Sequence, residues 1–278
     1  IVPPQGDPVA IDASGAAGSL ATPERYAGQA CIPHRGPGAA LTVAGTVGGW
    51  HEALQVSREL GGEQLPLDRL LRDALRYAAD GVPVTASQEA ATRSKYAELA
   101  HYPAFAEVFL PGGEIPLCGS RFTQPALART LSLLCEEGLE SFYRGTLADQ
   151  MADEMASCGM PVTREDLAAY RPKRRVPLRL QHSKGEVFNL TPPTQGLVSQ
   201  AILGITDRLD LAQSNEADTL HGIVEATKLA FGLRDRFITD PRQMTQDAQT
   251  LLNPAHLDAL AAQIDPHQAA PWGKGKGP

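Results

Sequence analysis

Residues 43–54, VAGTVGGWHEAL, join a short β-branched segment to a glycine-rich turn and the first turns of an amphipathic helix. The helical pattern continues to Leu60, and the pair Gly61 and Gly62 is a typical helix end. The glycines match neither the G-x-G-x-x-G nor the G-x-x-x-x-G-K-[ST] phosphate-binding pattern. We therefore interpret this stretch as a strand-loop-helix unit whose glycines serve packing.

Helices dominate the rest of the sequence, with short strands between them. Apolar residues recur at helical spacing and predict helices at 67–79, 123–137, 146–158, 197–209 and 217–237. Residues 163–166, TRED, fit a capping box that opens another short helix. Strand-like segments lie at 176–180 and 186–190, before the turn TPPTQG at 191–196. This content indicates a mixed α and β fold.

Size and charge limit the possible partners. The chain has 278 residues, of which 42% are hydrophobic, enough for a substantial core in one large domain or in two tightly joined ones. We predict a single domain spanning residues 1–278. Its net charge is -7, and we interpret its main basic cluster, Lys173–Arg175, as the solvated edge of a strand. We therefore expect no nucleic-acid partner. No apolar run approaches the ~18 residues of a membrane span, so we expect no membrane partner either.

Cysteine usage bears on the cellular compartment. The four cysteines lie far apart without a C-x-x-C pair, which argues against a zinc or dithiol site and favours reduced thiols in the cytoplasm. Their even number leaves disulfides open, and with them a periplasmic location. The sequence starts at Ile1 without a methionine, and we expect a further segment upstream of it.

Motifs typical of catalytic or metal sites are few in this sequence. His221 and Glu225 are four residues apart on a predicted helix, but the second histidine of an H-E-x-x-H zinc motif is missing. We interpret His221, Glu225 and Lys228 as a solvated face, opposite an apolar face that includes Leu220 and Ile223. No G-x-S-x-G elbow or cysteine-protease signature occurs. The residues alone therefore assign no catalytic group, metal or cofactor to this chain.

Seven stretches carry a family resemblance. They are VAGTVGGWHEAL, LLRDALRYAADGVPV, FTQPALARTL, EEGLESFYRGTLADQM, VTREDLAAY, LTPPTQG and LHGIVEATKLAFGLRDRFITDP. Together they cover roughly residues 40–242 and resemble the large chain of the gamma-glutamyltransferase family. The resemblance implies an α+β fold of the N-terminal-nucleophile hydrolase type. This is a four-layer αββα sandwich, with helices outside two stacked antiparallel sheets, completed by a second, smaller chain.

The resemblance also implies a mechanism. Members of the family are made as a precursor that cuts itself, so that a threonine becomes the first residue of the small chain. Its own α-amine, with a pKa of about 8, can accept the hydroxyl proton. The catalytic nucleophile is therefore expected on the partner chain, and residues 271–278, PWGKGKGP, are expected to form a mobile tail near the cleavage point. A dimer of such two-chain units is a further alternative.

One departure from the family pattern concerns the substrate. Transferases of the family carry an arginine in a motif close to Asp-x-Arg-Glu-x-Ala-Pro, which holds the α-carboxylate of the γ-glutamyl group. Here Asp12 matches the aspartate, but Ser14 stands at the arginine position. Serine cannot supply a charged bidentate clamp, although Arg25 could take over that role. Asp12 and Ser14 are the candidate substrate-binding residues. The alternative is an ordinary strand-to-turn pair in which Asp12 caps the turn.

The departure favours a family member that hydrolyses a small non-γ-glutamyl amide. The DASG form resembles members that act as oxamate amidohydrolases, in purine breakdown, or as cephalosporin (glutaryl) acylases. A genuine gamma-glutamyltransferase or glutathione hydrolase is the alternative enzyme. The alternative to an enzyme is a catalytically inactive scaffold or binding protein. The first residue of the partner chain distinguishes an enzyme from such a protein.

Overall fold

The computed structural model describes residues 1–272, which form two compact units, one of Ala13–Pro172 and one of Ile1–Asp12 with the chain from Lys173 onward. The helices are α1 (Thr46–Glu59), α2 (Leu67–Asp80), α3 (Ala86–Leu99), α4 (Pro103–Phe109), α5 (Pro125–Glu137), α6 (Ser141–Arg144), α7 (Thr146–Ser157), α8 (Arg164–Ala169), α9 (Gly196–Thr206), α10 (Glu216–Phe237) and α11 (Pro254–Ala261). The strands are β1 (Ala10–Asp12), β2 (Val82–Pro83), β3 (Arg121–Phe122), β4 (Lys173–Arg175), β5 (Leu178–His182) and β6 (Gly185–Asn189). They pair antiparallel as β1 with β4, β2 with β3 and β5 with β6.

The unit Ala13–Pro172 is built around buried side chains from α1, α5, α6, α7 and α8. Tyr143, Leu134 and Leu167 are almost completely buried at its centre. Around them, α2 packs against α5 and α6 against α7. The core therefore lies against the glycine-rich start of α1, and Val47 of this helix contributes a buried side chain to it.

The other unit is organised around α9, which packs against α10, α11 and the β5–β6 hairpin. Gln200 of α9 is fully buried, and its Nε2 donates to the carbonyl oxygens of Leu178 at 3.2 Å and Val187 at 2.7 Å. These carbonyls belong to β5 and β6, so a single amide ties both strands to the helix. Because buried carbonyls need donors, this polar contact fixes the hairpin in one position on α9.

Most predicted elements are present with small shifts at their ends. The capping box is confirmed: Thr163 Oγ accepts from Asp166 N at 3.2 Å, and the Asp166 carboxylate accepts from Thr163 N at 2.8 Å. The predicted helix at 123–137 begins at Pro125, which occupies its first turn. The predicted strand at 176–180 begins only at Leu178. Proline at position 177 removes a donor and accounts for the late start.

The face by which α10 packs is the reverse of the predicted one. Leu220 and Ile223, which were expected to be buried, are 62% and 42% exposed, whereas Glu225 is only 4% exposed. The helix packs instead through its small residues, including Ala226 and Ala230, which are completely buried. Small side chains let the backbones of α9 and α10 approach closely. The close packing between the two helices stabilises this arrangement more than burial of the larger apolar side chains of α10 would.

The remaining structural expectations concern the whole chain. The four cysteines are free thiols, and Cys31, Cys118 and Cys158 are exposed. Across residues 1–272, no helix combines the length and apolar character needed to cross a membrane. The single domain 1–278 stays a prediction. So does the C-terminal tail 271–278, which beyond Trp272 lies outside the described residues.

Candidate functional site

The two predicted substrate residues lie on the segment that leads from one unit into the other. Asp12 ends β1, and its side chain is only 12% exposed. Ser14 follows two residues later, within the unit that begins at Ala13, and is exposed. The structure therefore places a nearly buried carboxylate and an exposed hydroxyl two positions apart in the chain.

An arginine that the sequence analysis missed accompanies Asp12. Strand β1 pairs with β4, and Arg175 Nε of β4 lies 3.5 Å from Asp12 Oδ2. The cluster Lys173–Arg175 does form a strand, and Lys173 and Arg174 are exposed, as the sequence analysis predicts. Arg175 is 36% exposed and in addition contacts Asp12, which the sequence analysis did not predict. The contact between Asp12 and Arg175 depends on the pairing of β4 with β1. No local sequence pattern predicts this pairing between strands about 160 residues apart.

Arg175 also lines two clefts of its own unit. One has a volume of about 790 Å3 and mainly apolar walls that include Val9, Leu180 and Phe188. The other, of about 520 Å3, includes Thr191 and Pro192 of the TPPTQG turn. The guanidinium is thus next to space that a small anionic molecule can enter, and its charge is balanced by one nearly buried carboxylate.

Two tyrosines whose rings contact each other hold the chain around Ala13. The rings of Tyr143 and Tyr170 lie 4.8 Å apart. Tyr170 Oη lies 2.9 Å from the carbonyl oxygen of Ala13 and 3.2 Å from that of Gly45, within donation distance of both. Tyr143 Oη donates to the Ala44 carbonyl at 2.8 Å and accepts from Gly48 N at 2.9 Å. Burial raises the pKa of Tyr143, which keeps its hydroxyl a donor at neutral pH.

The glycine-rich turn makes room for these contacts. A Cβ on Gly45 would lie 1.7 Å from the carbonyl oxygen of Ala13, and one on Gly48 would lie 2.6 Å from the Tyr170 ring. Both positions therefore require glycine because backbone and aromatic rings fill the space. The turn has a packing role in this structure, in agreement with its interpretation from sequence.

The segment after Ser14 pairs with residues 41–43 through backbone hydrogen bonds. Val43 N donates to the Ala16 carbonyl at 3.0 Å, and Gly18 N donates to the Leu41 carbonyl at 2.8 Å. A Cβ on Gly15 would lie 1.8 Å from the carbonyl oxygen of Val43. The departure from the family motif thus extends to Gly15, because the glutamate of that motif could not occupy this backbone position without displacing Val43.

Asp166 anchors the far end of the same segment. Its Oδ2 accepts hydrogen bonds from Ser19 N at 2.8 Å, Ser19 Oγ at 3.1 Å and Thr163 N at 2.8 Å. Burial opposes the charged carboxylate, but these hydrogen bonds outweigh it and hold the pKa of Asp166 below its ordinary value. A group with a lowered folded-state pKa stabilises the fold above the unfolded-state pKa of about 3.9, and this stabilisation is lost as the pH falls further.

We expect Asp166→Asn to lower the free energy of unfolding by about 1–2 kcal/mol at pH 7, because a neutral amide oxygen accepts these hydrogen bonds more weakly than the charged carboxylate does. The deficit relative to wild type should shrink as the pH falls below about 4, where the wild-type carboxylate also protonates. Urea unfolding at several pH values measures both effects. The exposed neighbour Glu165→Gln is the control, and an equal loss in both variants would refute the anchoring role.

The other candidate from sequence, Arg25, is engaged elsewhere. Its Nη2 donates to the carbonyl oxygen of Gly159, and the residue lies in a short 3-10 helix, Pro23–Tyr26. Arg25 therefore stabilises a loop of its own unit. The cation that the structure places against a candidate substrate residue is Arg175.

A serine, a histidine and an aspartate also meet at the turn between β5 and β6. Ser183 N donates to Asp207 Oδ2 at 2.8 Å, and Ser183 Oγ donates to the other carboxylate oxygen. His182 Nε2 lies 3.4 Å from Asp207, and its Nδ1 accepts from Lys184 N at 3.1 Å. Because both ring nitrogens are engaged in this way, the imidazole cannot act as a base towards Ser183. The hydrogen bonds from Ser183 lower the pKa of Asp207, and the cluster fastens the turn to the end of α9.

No group of three or more His, Cys, Asp or Glu side chains within residues 1–272 is placed to hold a metal ion. In the unit that contains Ile1–Asp12, the candidate segment offers the Asp12 carboxylate beside the Arg175 guanidinium. In the unit Ala13–Pro172, it offers the exposed Ser14 hydroxyl.

Comparison with known proteins assigns the family. A sequence profile described as Gamma-glutamyltranspeptidase matches residues 2–277. Over 278 residues the chain is 63% identical to an oxamate amidohydrolase proenzyme of Klebsiella pneumoniae, covering 100% of this chain and 53% of that protein. It is 33% identical over 253 residues to the glutathione hydrolase-like YwrD proenzyme of Bacillus subtilis, covering 90% of this chain and 47% of the relative. The crystal structure of cephalosporin acylase from Bacillus halodurans has a TM-score of 0.82 at 31% identity, covering 92% of this chain and 48% of that one.

These similarities confirm the family resemblance and the predicted α+β fold of the N-terminal-nucleophile hydrolase type. The chain spans about half the length of the curated relatives it matches. With a profile match across nearly all of its residues, the chain belongs to the gamma-glutamyltranspeptidase family.

Proposed function

We propose that this chain is the large chain of a two-chain amidohydrolase that acts on a small non-γ-glutamyl amide, with oxamate as the leading substrate. The observation that carries the proposal is the 63% identity to an oxamate amidohydrolase proenzyme across all 278 residues. The match is about twice as high as that to the glutathione hydrolase-like relative, at 33%.

The geometry of the candidate segment supports a small substrate. Ser14 has no charged fork for a distant α-carboxylate, and Gly15 lies too close to Val43 to carry a glutamate. A γ-glutamyl group would leave its carboxylate without that counter-charge. A molecule such as oxamate, in which carboxylate and amide are directly joined, needs only short-range donors such as the Ser14 hydroxyl.

The proposed reaction uses a threonine at the start of a second chain. Its hydroxyl oxygen attacks the amide carbonyl carbon while its α-amine takes the hydroxyl proton. That proton leaves with the nitrogen as ammonia, and an ester remains on the threonine. Water then hydrolyses the ester, so that oxamate and water yield oxalate and ammonium. In this scheme the Ser14 hydroxyl contacts the substrate, and Arg175 holds the carboxylate of Asp12 in place.

The second chain is proposed to come from the same precursor. Relatives of about twice this length are described as proenzymes, which fits processing into two chains. We further propose, as the family resemblance implies, that residues 271–278 lie near the point of self-cleavage. The exposed thiols of Cys31, Cys118 and Cys158 support a reducing compartment, and we propose the cytoplasm, which cell fractionation would test.

The test combines protein chemistry with a substrate comparison. Intact mass and N-terminal sequencing of the protein expressed from its full gene determine whether a second chain begins with threonine. Ammonia or amine release is then measured with oxamate, a glutaryl amide and glutathione. We expect a threonine start and turnover of oxamate. A start other than Thr, Ser or Cys would refute an enzyme, and turnover of glutathione alone would refute the proposed specificity.

We expect Ser14→Arg to shift specificity towards γ-glutamyl substrates. A charge-assisted hydrogen bond to the α-carboxylate contributes about 1.5–3 kcal/mol, so glutathione should bind about tenfold more tightly. Oxamate turnover should fall because a long side chain replaces the hydroxyl. The inhibition constant of glutathione against oxamate turnover measures the effect, with Ser14→Gln as the uncharged control. If glutathione binding is unchanged in Ser14→Arg, the match of this segment to the family motif is wrong.

A further inference from the structure

A buried tyrosine of the unit Ala13–Pro172 contacts the backbone directly before the exposed Ser14. Tyr170 is only 7% exposed, and its Oη lies 2.9 Å from the carbonyl oxygen of Ala13. The carbonyl oxygen of Gly45 is farther from it, at 3.2 Å, so Ala13 is the preferred acceptor. The Ala13 carbonyl and the Ser14 nitrogen belong to one planar peptide unit. A hydrogen bond from Tyr170 therefore acts on the plane from which Ser14 projects.

The ring of Tyr170 has little room to move. It belongs to the same buried core as Leu167 and Tyr143, and the Tyr143 ring lies 4.8 Å away. The backbone of Gly48 is so close to it that a Cβ on Gly48 would lie 2.6 Å from a ring atom of Tyr170. Side chains packed in this way keep one rotamer. The Tyr170 hydroxyl is therefore a donor with a fixed position.

The chain after Ser14 is held by other groups. Val43 N donates to the carbonyl oxygen of Ala16 at 3.0 Å, and a Cβ on Gly15 would lie 1.8 Å from the carbonyl oxygen of Val43. A side-chain hydroxyl thus holds the backbone before Ser14, and backbone pairing holds it afterwards. Replacing Tyr170 by phenylalanine removes the first contact and keeps the ring that fills the core.

Tyr143 provides a comparison within the same core. It is 1% exposed, and its Oη donates to the carbonyl oxygen of Ala44 at 2.8 Å and accepts from Gly48 N at 2.9 Å. Both contacts lie at the start of α1. The two tyrosines therefore share burial, ring contact and hydrogen bonding to the backbone, but these hydrogen bonds of Tyr143 do not involve the candidate segment.

We propose that Tyr170 is a positioning residue for substrate binding, and that its hydroxyl holds the peptide between Ala13 and Ser14 so that the Ser14 hydroxyl meets the substrate in one orientation. This inference rests on the proposed function, in which Ser14 contacts oxamate. Such a contact is made to the bound substrate and to the transition state alike, so its loss raises KM and leaves kcat nearly unchanged. A purely structural role would instead reduce the folded fraction, which lowers the apparent kcat at an unchanged KM.

The test compares Tyr170→Phe with Tyr143→Phe in the processed two-chain enzyme. Loss of one neutral hydrogen bond changes an equilibrium constant about fivefold, so Tyr170→Phe should raise KM for oxamate about fivefold with kcat within about twofold of wild type. Tyr143→Phe should change KM less than about twofold. An unchanged KM in Tyr170→Phe, or an equal rise in both variants, would overturn the inference.

A Ser14→Ala background tests whether Tyr170 acts through Ser14. The hydroxyl to be positioned is absent there, so adding Tyr170→Phe should change KM less than about twofold. A rise as large as the one in the wild-type background would overturn the inference, because Tyr170 would then act independently of Ser14.

Amide hydrogen exchange provides a measurement that needs no substrate. Gly18 N donates to the carbonyl oxygen of Leu41 at 2.8 Å, so its amide exchanges when the segment after Ser14 opens. We expect exchange at Gly18 to become about fivefold faster in Tyr170→Phe and to stay within about twofold in Tyr143→Phe. A wild-type enzyme that does not hydrolyse oxamate would refute the proposed function. Faster exchange in Tyr170→Phe would then still support its hold on the segment, and unchanged exchange would overturn it.

Discussion

A Gly45→Ala variant is expected to lose more than about 4 kcal/mol of unfolding free energy, enough to prevent folding in many domains. The added Cβ would lie 1.7 Å from the carbonyl oxygen of Ala13 and 2.7 Å from Tyr170 Oη. The first obstacle is backbone, which cannot rotate away as a side chain can. Relief requires Ala13 to move, and with it the hydroxyl contact that holds the chain next to Ser14.

The same substitution at Gly232 provides the control. This glycine lies in α10, and an added Cβ there has no atom within 4 Å. Because alanine favours helix over glycine by about 1 kcal/mol, Gly232→Ala should be neutral or slightly stabilising. Expression as folded protein and the urea midpoint measure both variants. Stability of Gly45→Ala within about 0.5 kcal/mol of wild type would contradict the close approach of the two segments, because an overpacked core costs at least about 1 kcal/mol.

Arg175→Met is expected to cost about 2–3 kcal/mol, because it removes the cation beside a carboxylate that is only 12% exposed. The side chain of Arg175 is 36% exposed, and for this reason the expected loss lies below that of a fully buried pair. Asp12 is itself a candidate substrate-binding residue, and a shift of about 1 Å in its position would lower kcat/KM for oxamate by roughly 100-fold.

A double-mutant cycle isolates the pair. Asp12→Asn removes the charge that Arg175 balances, so the double variant should recover more than half of the stability lost in Arg175→Met. Lys184→Met, an exposed cation in the turn between β5 and β6, is the control and should cost less than about 1 kcal/mol. Strictly additive losses for Asp12→Asn and Arg175→Met would show that the two side chains do not interact in solution.

The family pattern was sufficient to select Asp12 and Ser14, because both lie in one short segment. The residues that contact this segment could not be predicted from the sequence. Arg175 and Tyr170 lie more than 150 positions away in the chain, and each carries an ordinary local pattern, one in a basic cluster and one at a helix end. Long-range pairing of β1 with β4 and the contact between two tyrosine rings decide these contacts, and neither can be predicted from the local spacing of residues.

Amino-acid sequence by itself determined where several helices of this protein begin and end, since caps, prolines and glycines act over a few residues. Thr163 with Asp166 at the start of α8 and Pro125 in the first turn of α5 are examples. Tertiary structure decided which face of α10 is buried. Helical periodicity identifies two faces but not which one a neighbour covers, and close packing against α9 selected Ala226 and Ala230, with Glu225 buried beside them. Glu225, which the sequence analysis placed on a solvated face, is therefore buried, where it pairs with Lys228 and accepts a hydrogen bond from Ala270 N.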